Sequence, residues 1–135
     1  MTTLNQANRT VPWTHWLLRA TVTVEAVLAV AQPIFIGAFL QGHYDALAWH
    51  KANATLVGIA AFAMVAAAVL HWRPGRGPGW VPLACVVVAA AIVVQIVLGY
   101  SRTLAIHIPL GVLVVTASVS LLVWSWRPAR VGIDR

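Results

Sequence analysis

Four long apolar runs joined by short polar stretches constrain this chain more than any other feature: about Trp13 to Leu40, His50 to Trp72, Val81 to Tyr100 and Leu104 to Trp126. Crossing the hydrocarbon of a bilayer takes roughly 20 apolar residues per helix, and each run is long enough. In lipid only a helix satisfies its own backbone hydrogen bonds, and none of the runs alternates like a strand. Short connections force antiparallel neighbours, so the prediction is an all-α, up-down-up-down four-helix membrane bundle forming a single domain over residues 1–135. Composition agrees, with 61% hydrophobic and 9% charged residues, against about 25% charged in water-soluble domains. The spans use most of the sequence, which leaves no space for a soluble catalytic domain, a nucleotide-binding fold or a nucleic-acid module. A lone Cys85 excludes an internal disulfide and the Cys-x-x-Cys-His attachment of a c-type haem.

The formal net charge of +6 follows topology rather than a nucleic-acid surface. Arg9, Arg19, Arg73, Arg76, Arg127, Arg130 and Arg135 fall on one side of the spans, and only Lys51 and Arg102 on the other. That excess predicts cytoplasmic termini. Trp13, Trp16, Trp72, Trp80, Trp124 and Trp126 then form an aromatic belt at the inner interface. Ala29-Val30-Ala31 has the form of a signal-peptidase site, but Glu25 interrupts the preceding apolar stretch, so the segment reads as the first span.

An internal repeat points to two histidines. Leu47-Ala48-Trp49-His50 opens the second span and Leu104-Ala105-Ile106-His107 the fourth, while Trp72-Arg73-Pro74-Gly75-Arg76 and Trp126-Arg127-Pro128-Ala129-Arg130 close them. Gln32 precedes Gly37 in the first span, and Gln95 precedes Gly99 in the third. The chain therefore reads as two tandem helical hairpins about a pseudo-twofold axis along the membrane normal. His50 stands 22 residues before Trp72 and His107 stands 19 before Trp126, a difference in depth of only about 4.5 Å. Spans two and four are diagonal partners in such a bundle, so both imidazoles can face one another near the outer surface. One planar haem b, its iron held axially by His50 and His107, suits that arrangement.

The surroundings are consistent with this site. Lys51 and Arg102 are placed to pair with haem propionates. Gly58 and Gly111 lie within about 80° of their histidines on the helical wheel, leaving room for a porphyrin edge. Gln32 and Gln95, at similar depth, can hydrogen-bond a propionate or an imidazole and so orient a ligand. A cofactor-free bundle remains the competing expectation, and a metal site recruiting His43 and Asp45 to His50 and His107 is a third. His15 and His71 form a second candidate haem site at the inner face. Glu25, about 18 Å along the helix from Trp13, is a candidate proton carrier or quinone-site residue, or else a protonated packing residue, with Thr21 and Gln32 on its face.

Gln95 to Gly111, including Leu-Ala-Ile-His-Ile-Pro-Leu-Gly, and His50-Lys51 resemble one four-helix half of haem A synthase. The pattern is also similar to that of small, uncharacterised four-span bacterial membrane proteins. The resemblance implies a bacterial cell membrane and haem ligation by His50 and His107. This chain has one such half, and the glutamate that family carries in the first outer loop has no counterpart here: the available acid is Asp45, five residues before His50, and the loop cysteines are absent. The resemblance therefore implies a haem carrier or accessory subunit more than haem A synthesis. The expected function is that of a membrane b-type cytochrome transferring electrons by an outer-sphere route rather than an enzyme. Its expected partners are lipid and a redox partner protein, a respiratory assembly or a second copy. The alternative is a cofactor-free structural subunit, packing against a larger complex through Ala60-Ala61 and Ala66-Ala67-Ala68.

Overall fold

In a computed structural model that describes residues 12–128, the chain forms four helices: α1 Trp13–Leu40, α2 Ala46–Trp72, α3 Trp80–Tyr100 and α4 Leu104–Ser125. No strand occurs among the described residues. All four helices are long and apolar enough to cross a bilayer, and the chain is a multi-pass membrane protein. Arg9, Arg130 and Arg135, which enter the charge count, and Ala129 of the second Trp-Arg-Pro element lie outside the described residues.

Connections at residues 41–45, 73–79 and 101–103 keep chain neighbours antiparallel. Helix α1 packs on α2 and α4, and α3 on the same two, whereas the backbones of the diagonal pairs α1–α3 and α2–α4 stay apart among the described residues. The four axes thus form a closed ring in which α2 and α4 face one another across the core. Helix α2 starts at Ala46 rather than His50, because the apolar Ala46-Leu47-Ala48 stretch continues the helix outward. The Asp45 carbonyl accepts from the Ala48 and Trp49 N–H groups at 2.9 and 3.4 Å. His50 therefore sits in the second turn, not at the helix head. The α3–α4 turn is tighter. Arg102 adopts φ 57°, and the Thr103 N–H donates to the Leu98 carbonyl at 3.0 Å, a Schellman-type closure that reverses the chain at once.

Small residues line the inside. Ala26 and Ala29 of α1 and Ala61, Ala67 and Ala68 of α2 are all at most 1% exposed, which lets these two helices approach closely. This corrects the expectation of an alanine face turned toward another protein: Ala61, Ala67 and Ala68 are consumed within the bundle, leaving only Ala60 half-buried and Ala66 exposed. Leu56, Ile59, Phe62, Val87 and Val97 lie on the outside, as apolar as the core, because lipid rather than water is the solvent there.

The six tryptophans assigned to one interface do gather at one end of the bundle, at the starts of α1 and α3 and the ends of α2 and α4. Trp16 packs edge-on against Trp126 at 6.1 Å, and Trp80 against Trp124 at 4.7 Å. Arg19 lies over Trp16 and Trp126 at 5.0 and 4.9 Å, while its Nε donates to the Ser125 carbonyl at 2.8 Å. It caps the last turn of α4 and ties α1 to it.

Candidate functional site

At the end opposite the tryptophans, the ring centroids of His50 and His107 are 6.4 Å apart with planes at 71°. Both side chains are half-buried. With metal–imidazole bonds of about 2.0–2.1 Å and about 1.1 Å from each nitrogen to its ring centre, two imidazoles trans on one ion have centroids about 6.3 Å apart. The observed spacing matches, and trans imidazoles can take any twist about their common axis, so the 71° angle raises no objection. Helices α2 and α4 are held at this distance by the ring of contacts through α1 and α3.

Each histidine is fixed by a glutamine of its own hairpin. His107 Nδ1 lies 3.0 Å from the Gln95 carbonyl, and Gln95 Nε2 donates to the His107 carbonyl at 2.8 Å. A carbonyl only accepts, so His107 carries its proton on Nδ1 and leaves the Nε2 lone pair free, the tautomer a ligand needs. His50 Nδ1 has the equivalent acceptor, the Gln32 carbonyl, at 3.3 Å. The Gln32 amide competes for it. Oriented to satisfy its surroundings, that amide donates to His50 Nδ1 at 2.7 Å and to the His50 carbonyl at 3.2 Å, and accepts from the Ala54 N–H at 3.0 Å. In that state His50 carries its proton on Nε2. Turning the amide away moves the proton to Nδ1 and matches His50 to His107. His50 and His107 would both offer an Nε2 lone pair to such an ion only with the Gln32 amide turned away from His50 Nδ1. One helical turn deeper, Asn53 Nδ2 donates to the Leu28 carbonyl at 2.8 Å, a second tie between α2 and α1 that sequence reasoning missed.

Lys51 and Arg102 are exposed at the same end as the histidine pair. The glycines take other roles than the expected one. A Cβ on Gly111 would come within 2.7 Å of Gln95 Nε2, so the missing side chain makes room for the amide that holds His107. A Cβ on Gly58 would meet only Ile96 Cδ1, at 3.6 Å. Gly99, which the sequence marked only as part of the repeat, lies against the His107 ring, with a built Cβ 3.0 Å from Cε1.

His43 and Asp45 do not join the pair: no group of three or more His, Cys, Asp or Glu side chains able to hold a metal exists among the described residues. The four-residue metal set is thereby corrected, since both His43 and Asp45 are exposed in the α1–α2 turn. His15 and His71 do come together, at 5.3 Å and 56°. They lie on the adjacent helices α1 and α2, at the tryptophan-rich end. This spacing falls about 1 Å short of what two axial ligands on one iron need.

Glu25 is fully buried, and Ser118 Oγ of α4 donates to its Oε1 at 2.9 Å. Neither expected neighbour serves it. Thr21 Oγ1 donates to the Leu17 and Leu18 carbonyls of its own helix, and Gln32 belongs to His50. Glu25 Oε2 has no partner among the described residues. Ser118 was not singled out by sequence because a lone serine in an apolar span carries no spacing signal. Compared with protein-family models, curated proteins and solved structures, the chain matches none of them.

Proposed function

We propose that the chain is a small b-type cytochrome of a bacterial membrane, binding one haem between His50 and His107 near the extracytoplasmic surface, with both termini in the cytoplasm. The observation that carries this reading is the 6.4 Å spacing of two imidazoles at repeat-equivalent positions, each bonded to a glutamine of its own hairpin. The bound group would supply one-electron oxidation and reduction at iron. Held by His50 and His107, the group would have no open position for oxygen or a substrate, which favours outer-sphere electron transfer over catalysis. Gln95 fixes the His107 tautomer, the Gln32 amide sets that of His50, and Lys51 and Arg102 are the cations available to the propionates. Such a protein acts with a redox partner, as a subunit of a respiratory assembly or as a homodimer.

A second reading, a cofactor-free structural subunit, draws support from the same end of the bundle. The Gln95 amide takes up the space beside Gly111, and Ile96 rests near Gly58. A haem A synthase-like or haem-handling role has less to rest on. The pyridine haemochrome spectrum of the purified full chain, with protein quantified in the same sample, decides between the first two. One haem b per chain is expected; a preparation without haem, still empty after haemin is added, leaves the structural reading.

A further inference from the structure

The tryptophan-rich end holds a second cluster of polar groups, and its hydrogen bonding is incomplete. Thr14 and His15 open α1 and His71 closes α2, with the two imidazoles 5.3 Å apart. His71 is 7% exposed and Thr14 2%. Among the described residues neither His71 Nδ1 nor Thr14 Oγ1 has a hydrogen-bond partner, although buried polar groups as a rule find one. The α2–α3 connection closes over them with glycines. A side chain at Gly75 would run into Thr14 Oγ1 and the His71 carbonyl, and one at Gly77 into the His71 ring. The cover is thus shaped to these residues while leaving their polar atoms unused.

We propose that His15 and His71 bind a late first-row divalent cation of the zinc type, with the Thr14 hydroxyl and water available for the remaining positions. Two imidazoles on a tetrahedral ion, with metal–nitrogen bonds of about 2.0–2.1 Å, have centroids about 5.1 Å apart, and the observed value is 5.3 Å. Trans ligation of one iron needs the longer spacing seen at the other end. The nearest cation along α1, Arg19, is engaged by the Ser125 carbonyl and by two indole faces. No carboxylate or thiolate completes a third protein ligand among the described residues, so the ion keeps exchangeable positions and is bound reversibly rather than as a permanent structural zinc. This proposal does not depend on the haem reading, because the two pairs share no residue.

The test uses the full chain in detergent, stripped with chelator and titrated with Zn(II) against a chromophoric competitor, with Co(II) as a spectroscopic probe. One equivalent per chain is expected, with visible Co(II) bands of tetrahedral intensity. Binding should weaken at least tenfold in both His15→Gln and His71→Ala and persist in His107→Ala. His15 is only half-buried, so H15Q tests the site even where H71A fails to fold. Zinc affinity unchanged in H15Q, affinity lost in H107A instead, or no binding below millimolar Zn(II) would each overturn the assignment. Haem content of the same samples reports separately on the other pair.

Discussion

The two ends of the bundle each present a pair of histidines, and they differ in every respect that decides what an imidazole can hold. The pair at His50 and His107 spans the diagonal of the ring, at 6.4 Å, with each Nδ1 beside a backbone carbonyl. The pair at His15 and His71 joins neighbouring helices, at 5.3 Å, with His71 Nδ1 unpartnered among the described residues. Proximity of two histidines is therefore not the informative quantity. Separation would decide between ligation from opposite sides of a flat group and adjacent ligation of a small ion, and the bond at the second nitrogen selects the tautomer.

The largest expected effect breaks the comparison outright. His107→Ala should abolish the low-spin, six-coordinate haem absorption, whereas His71→Ala should leave its band positions unchanged; a spectrum insensitive to His107 rejects axial ligation. Next, the covers of the two pairs should respond differently to one added methyl group. Gly77→Ala, whose Cβ collides with the His71 ring, should lower stability by about 1–3 kcal/mol. Gly58→Ala, which meets only Ile96 at van der Waals distance, should stay within about 0.5 kcal/mol; thermal melts of the haem-free chain in detergent measure both. Between the two ends, Ser118→Ala leaves the buried Glu25 carboxyl without its donor and should cost about 1–3 kcal/mol. Glu25→Gln should cost less by the same assay, because an amide oxygen still accepts from Ser118. Gln95→Ala removes the bond to the His107 carbonyl and should cost about 0.5–1.5 kcal/mol. The His107 Nδ1 contact to the residue-95 carbonyl should survive, so haem stoichiometry should hold.

Spans and ring order were legible because lipid leaves the backbone no alternative to helices, and short turns leave neighbouring helices no alternative to antiparallel packing. The start of α2 was misplaced because polarity at Trp49-His50-Lys51 looked like an end, while the apolar Ala46-Leu47-Ala48 stretch could still propagate the helix. The repeat made His50, His107, Gln32 and Gln95 visible together, since equal spacing from matching landmarks converts into equal depth. What the sequence hid were polar contacts outside the repeat. Ser118 meets Glu25 across α1 and α4, and nothing in either segment announces the other. The glycines were seen but misread, because a helical wheel reports the direction of a missing side chain and not which neighbour fills the gap.

The ties between α1 and α4 have a mechanical consequence. Arg19 to the Ser125 carbonyl, Trp126 Nε1 to Thr23 Oγ1 at 3.1 Å, and Ser118 to Glu25 all lie between the middle of the bundle and its tryptophan-rich end. The polar links of His50, Asn53 and His107 stay inside their own hairpins. The molecule is built like a pair of tongs, pinned at the handle by clasps between the hairpins and by the 73–79 connection, with one imidazole mounted on each jaw. Their spacing is then set by how far two stiff arms part, and each ring travels with the hairpin that aims it.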